Sequence, residues 1–255
     1  MTTARGTTVD IGTPGGVADA YLVQPAHGLP RPAVLIFSDA FGPRAHVRAM
    51  ADRLAEAADR TVLVPNFLYR HGRAPVVALP DVIDHRTRGE VWRVLRPLLR
   101  SLTTPAALRD AGAYLDWLAD CPQAAAGQTA LVGYCVGARL ALLTAGSGTD
   151  RIAAAAGFHG GRLATEDADS PHLVASRITA PVYLGHADDD PALPPDQIRR
   201  LDEALTAGGV RHLSEVYQGA RHGFTQADTD AYDREADERH WEALLNLLRH
   251  SQISG

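Results

Sequence analysis

Apolar residues along this chain fall into two alternating rhythms. Solid runs such as Ala33-Val34-Leu35-Ile36-Phe37, Thr61-Val62-Leu63-Val64 and Thr129-Ala130-Leu131-Val132 are bounded by prolines, glycines and polar turn residues. An unbroken apolar run of that length describes a strand covered on both faces. Between these runs the spacing turns helical. Val47, Met50, Leu54 and Ala57 or Ala58 share one side of a helix over His46–Ala57, and Leu108, Ala111, Leu115 and Leu118 face inward from a helix ending near Ala119. That second helix opens at Thr104-Pro105, where a threonine N-cap followed by proline at the first helical position is a start signal. Further strands are predicted over Ile152–Gly157, Pro181–Leu184 and Leu213–Tyr217, and further helices over Val136–Thr144, Pro195–Ala207 and Ala231–His250. At the start, Thr8–Ile11 and Ala18–Val23 flank Thr13-Pro14-Gly15-Gly16, a hairpin pattern. Strands alternating with helices predict an α/β fold: a mostly parallel sheet with helices on both faces and an N-terminal antiparallel hairpin, in one domain.

The rhythm breaks over residues 66–104, which are rich in proline and arginine. Their strongest element is a helix from about Arg88 to Leu102, striped by Trp92, Leu95, Leu99 and Leu102, with Pro97 expected to kink it. A connection this long reads as a lid-like insert; the plainer alternative is a structural excursion away from substrate.

Composition narrows the function. Of 255 residues, 25 are basic and 30 acidic, giving a net charge of −5, and every basic residue is arginine. No basic face is available to track phosphates, so nucleic acid is not an expected partner. Two cysteines, Cys121 and Cys135, cannot make a disulfide framework. Met1–Asp10 is polar, and no run approaches the roughly 18–20 apolar residues of a membrane helix. The expectation is a cytoplasmic protein with no membrane partner, a monomer or homodimer.

Chemistry concentrates at three places. Gly133-Tyr134-Cys135-Val136-Gly137 joins a predicted strand to a helix of small residues. Flanking glycines leave room for a sharp turn, and the helix N-terminus favours both thiolate and oxyanion. Cys135 is therefore a candidate nucleophile, its plainer alternative being a buried structural cysteine. A base is needed downstream, and His222 lies in the loop Gly219-Ala220-Arg221-His222-Gly223-Phe224 after the last strand. An acid should follow the preceding strand, where Asp188-Asp189-Asp190 stands. Asp190 suits that role by its spacing, four residues before Pro194 and nine after Pro181, with Asp188 as the alternative. The run lacks the alternating ligands and glycine of a calcium loop, so no metal is expected. The order Cys, Asp, His is the chain order of triads on α/β-hydrolase sheets.

With these motifs on the page, the chain resembles the dienelactone hydrolase family of α/β-hydrolases over nearly its whole length. The strings that carry the resemblance are Val34-Leu35-Ile36-Phe37-Ser38-Asp39-Ala40-Phe41-Gly42, Pro65-Asn66-Phe67-Leu68-Tyr69-Arg70, Leu131-Val132-Gly133-Tyr134-Cys135-Val136-Gly137 and Ala220-Arg221-His222-Gly223-Phe224. The resemblance implies a cofactor-free hydrolase of small esters or lactones working through an acyl-cysteine. Cys135 would attack, His222 would shuttle the proton and Asp190 would orient His222. The amides of Val136 and Ala40 would form the oxyanion hole. Asp39 stands where the family has a glutamate that helps activate the cysteine. Where lactone hydrolases of the family hold the substrate carboxylate with an arginine four residues after the histidine, this chain has Gln226. The family's other carboxylate-binding arginine would come from the 66–104 insert, where Arg70, Arg73, Arg86 and Arg88 are the candidates. An apolar substrate pocket is expected from Phe41, Phe67, Trp92, Tyr134 and Phe224. Two readings compete with this one: a catalytically silent binder of small molecules on the same fold, and a redox sensor using Cys135 with Cys121.

Overall fold

A computed structural model of the chain describes residues 6–250. Two compact units emerge, one of residues up to 129 together with 228–230, the other of residues 130–227 and from 231 onward. Eight strands are shared between them.

In the first unit the predicted hairpin is β1 (Thr7–Thr13) and β2 (Gly16–Val23), antiparallel with Thr13 opposite Gly16. Gly16 takes a φ of +132, a value that excludes a side chain at that corner. β3 (Ala33–Phe37) and β4 (Thr61–Pro65) pair in parallel, every residue of both is buried, and the order is β1-β2-β4-β3. The solid apolar runs produce strands hidden on both faces, as their lack of alternation implies. α1 (Ala45–Ala58) buries Val47, Met50, Ala51, Leu54 and Ala55.

The long connection contains a short 3₁₀ turn at Tyr69–His71, then α2 (Arg88–Ser101) with Pro97 inside it. Of the expected stripe, Leu95 is buried and Trp92, Leu99 and Leu102 are half-buried; Val91 is the other buried position of α2. α3 (Thr104–Ala119) starts one residue earlier than expected, capped by Thr103, whose hydroxyl accepts the Ala106 N–H at 3.4 Å.

The second unit orders its strands β5 (Thr129–Tyr134), β6 (Ile152–Phe158), β7 (Val182–Asp189) and β8 (His212–Arg221). β6–β7 and β7–β8 are parallel. β7 and β8 both run several residues past their predicted ends, into the segments that carry the candidate acid and base. α4 (Val136–Ala145) and α6 (Arg234–His250) both pack on β6, and α5 (Pro195–Ala207) packs on β8. A 3₁₀ helix at Pro171–Arg177 was not foreseen from the sequence. No helix of the described residues is long and apolar enough to cross a membrane.

Candidate active site

β5 ends at Tyr134 and α4 begins at Val136, so Cys135 alone makes the turn, at φ 55 and ψ −117. A non-glycine residue at such angles stores about 1–3 kcal/mol of strain and must be held there by its surroundings. The Cys135 N–H donates to the Phe158 carbonyl at the end of β6, 3.1 Å away, and its own carbonyl accepts the Ala138 N–H at 3.1 Å. Gly133 is required: a methyl group there would lie 2.1 Å from the Gly137 carbonyl oxygen. The turn places the Cys135 thiol at the N-terminus of α4, where unpaired amides and the positive end of the helix favour negative charge.

The three adjacent aspartates divide the work of the facing loops. The Asp188 carboxylate accepts the Gly219 N–H at 2.9 Å, and the Asp189 carbonyl accepts the His222 N–H at 3.3 Å. A register shift between Ala187 and Asp189 marks a bulge at this point of the β7–β8 ladder. Just beyond it, buried Asp190 accepts the Ala192 N–H at 2.8 Å on Oδ1 and the His222 Nδ1–H at 2.6 Å on Oδ2. The other ring nitrogen, Nε2, is 3.1 Å from Cys135 Sγ. Burial alone would lower the His222 pKa; charge on Cys135 and the bonds to Asp190 and the sulfur outweigh it and push it up to about 10. The ring thus spans the two partners, Nδ1 on the Asp190 side and Nε2 on the sulfur side. The arrangement lines up a sulfur, an imidazole and a buried carboxylate in one row of contacts.

Two of the expected pocket residues sit in the core of this unit. Tyr134 is buried with its hydroxyl 2.9 Å from His240 Nε2. Phe224 is fully buried between Tyr217 and His159, with ring centroids 5.0 and 5.1 Å away. Sequence reasoning passed over His159, which is wholly buried with its ring centroid 5.4 Å from that of His222. Its signal was available only in its position, directly after the buried strand run.

In the first unit, Phe41 and Trp92 contact each other with centroids 5.8 Å apart, and Phe67 is buried. Ala40 is buried just after β3. Asp39 is taken up locally: Oδ1 accepts the Phe41 N–H at 2.8 Å, and both its oxygens lie 2.9 Å from Arg44 Nη1. Arg44, also missed from the sequence, donates through Nη2 to Asp228 at 2.8 Å. Burial opposes its charge, yet Asp39 and Asp228 together raise its pKa. Of the candidate arginines in the insert, Arg70 pairs with Asp110, Arg73 with Asp10 and Arg88 with Asp230, whereas Arg86 is exposed. Gln226 is buried and brings no charge. Among the described residues no group of His, Cys, Asp and Glu is arranged to hold a metal ion.

Comparison with known proteins agrees with this architecture. The model of the dienelactone hydrolase family matches residues 18–252. A Synechocystis sp. protein named "Putative carboxymethylenebutenolidase" is 24% identical over 232 residues, 90% of each chain. A Bradyrhizobium sp. protein named "Probable 2-oxo-3-(5-oxofuran-2-ylidene)propanoate lactonase" is 25% identical over 94% of this chain and 92% of its own. The crystal structure of a Klebsiella pneumoniae protein titled "Putative Dienelactone Hydrolase" superposes with a TM-score of 0.83 at 21% identity, covering 97% of this chain and 99% of that one. With an eight-stranded, mostly parallel α/β fold and a family match over nearly all its length, this chain belongs to the dienelactone hydrolase family.

Proposed function

We propose that this protein hydrolyses carboxylic esters or lactones through an acyl-Cys135 intermediate. The observation that carries the reading is the continuous chain of contacts from Asp190 to His222 Nδ1 at 2.6 Å and from Nε2 to Cys135 Sγ at 3.1 Å. The thiolate adds to the substrate carbonyl carbon, and the oxyanion is taken by the Val136 amide, with Ala40 assigned as second donor on the family resemblance alone. As the C–O bond breaks, His222 gives its Nε2 proton to the departing alkoxide. Water then attacks the thioester; His222 takes its proton, the acid leaves and the thiolate–imidazolium pair is restored. Asp190 keeps the imidazole in the useful tautomer throughout. No cofactor enters this scheme.

The acyl part of the substrate is proposed to be neutral. Gln226 supplies no charge, and Arg44, Arg70, Arg73 and Arg88 are each matched with a carboxylate of the chain itself. The name of the Bradyrhizobium relative specifies a lactone bearing a carboxylate, so substrate choice would separate the two proteins.

The decisive experiment is mass spectrometry during turnover of an aryl acetate. An acetyl group should accumulate on Cys135, with a burst of phenol, and Cys135→Ala should lose both along with several orders of magnitude in kcat. Full turnover by Cys135→Ala would overturn the proposal.

A further inference from the structure

We propose that His159 is a positioning residue for the reaction, fixing the plane of the His222 ring; the inference rests on the acyl-cysteine reading above. His222 is tied to its partners at two points only, Nδ1 to Asp190 and Nε2 to Cys135. Those two contacts and the Cβ linkage place the ring but put no wall against its side, so small rotations about χ1 and χ2 remain open to it. The third contact comes from His159, whose ring meets that of His222 at 68°. Such an edge-to-face arrangement is a preferred geometry between π systems.

His159 is itself unusually well anchored. Its backbone has φ 38, a strained value for a side chain of this size, and its N–H donates to the Gly185 carbonyl at 2.8 Å. The preceding residue, Phe158, accepts the Cys135 N–H, so one stretch of backbone holds the nucleophile and carries the ring behind the base. A methyl group on Gly160 would come within 2.8 Å of Ala138 Cβ, which shows how closely this stretch is pressed against α4. The ring's Nε2 is 2.9 Å from Thr225 Oγ1, three residues after His222, joining the end of β6 to the loop that carries the base. Nδ1 has no hydrogen-bond partner among the described residues. A buried ring with one nitrogen unanswered is a poor site for a proton. Burial first, then the neighbouring His222 and His240, pushes the His159 pKa well below its usual value. The titratable groups around this contact are Cys135 at the head of α4, Tyr134 on β5, Asp190 after β7, His222 after β8 and His240 on α6. Among them His159 supplies a neutral wall, which does not compete with Asp190 for the proton on His222.

The test uses the full chain with His159→Leu, His159→Phe and Thr225→Val, each checked for folding by thermal melt. Two readouts are taken: steady-state hydrolysis of an aryl acetate, and the rate of iodoacetamide alkylation of Cys135 from pH 5 to 10, with Cys121 as internal reference. Misplacing a catalytic group by about 1 Å can cost about a hundredfold, so His159→Leu, which permits a smaller shift, should lower kcat by about tenfold with KM changed less than about twofold. His159→Phe, which restores a flat ring, should recover part of the loss. Thr225→Val should show a smaller decrease of the same kind and carries the test if His159→Leu fails to fold. In both His159→Leu and Thr225→Val the alkylation profile should move to higher pH, because the imidazolium is less firmly placed beside the sulfur. Wild-type kcat and a wild-type alkylation profile in the folded variants would overturn the inference. Alkylation needs no turnover, so this failure is distinct from that of the acyl-cysteine reading, which falls if Cys135→Ala remains active.

Discussion

Acid should destabilise this protein through a histidine outside the proposed chemistry. His186 lies on β7 with 1% of its surface exposed, and its Nε2 is 3.0 Å from Ser214 Oγ. Burial overcomes the pull of Asp190 and Asp202 and pushes its pKa down to about 4. In the unfolded chain the same group titrates near 6.5. Between these values the unfolded state binds a proton that the native state refuses, so stability falls as pH drops from about 6.5 towards 4. The loss from this one residue is about 2 kcal/mol between pH 7 and pH 5, and about 3 kcal/mol by pH 4. His159, depressed for the same reason, adds to the loss in the same direction. The perturbation is His186→Gln, which keeps an amide able to bond Ser214 but cannot titrate. Urea unfolding of both proteins at pH 7 and pH 5 gives four free energies. Acidification should cost the variant about 2 kcal/mol less than the parent. An equal loss in both proteins would show that His186 already carries its proton in the native state, and the reasoning would fail.

Two further outcomes follow from the site. Asp190→Asn keeps the shape but lacks the charge that stabilises the imidazolium and holds its tautomer, and should lower kcat by roughly a thousand- to ten-thousandfold, measured with the aryl acetate, with the melt little changed. Wild-type protein should favour an aryl acetate over a carboxylate-bearing dienelactone in kcat/KM. Gln226→Arg should narrow that gap by about tenfold, the worth of one charge-assisted contact; a wild-type preference for the anionic lactone would refute the neutral-substrate proposal.

What could be read from the sequence follows how local its cause is. β3, β4 and the start of β5 were visible because burial on both faces leaves the runs apolar apart from the threonine that opens β4 and β5. β7 and β8 were read short because their last residues, His186 to Asp189 and Gln218 to Arg221, are mainly polar: the backbone ladder continues while the apolar signal stops. Thr103 and Thr104 are adjacent and chemically equal as caps, so only geometry could choose between them. The α2 stripe was incomplete: Leu95 of that stripe is buried and its other members half-buried, while Val91, outside it, takes the second buried position. At the site, Cys135 was marked by its two glycines between strand and helix, and the structure brings it together with His222 and Asp190. Arg44 and His159 left no such mark. Their significance comes from partners distant in sequence, such as Asp228, 184 residues from Arg44.

That separation has a consequence for how the protein is made. The first unit takes in residues 228–230: Asp228 binds Arg44, Thr229 bridges to Ile83, and Asp230 binds Arg88. A ribosome adding about 5–20 residues per second needs roughly ten to forty seconds to travel from Arg44 to Asp228. During that interval the nascent N-terminal segment holds a guanidinium with one of its two counter-charges and a helix whose Arg88 has nothing to grip. The N-terminal unit therefore gains its last contacts only after residue 230 has emerged, although its strands and helices emerge first. Its completion waits for a three-residue clasp supplied only after residues 130–227 have been made, and a product that stops short of residue 228 would be a natural client for chaperones and proteases.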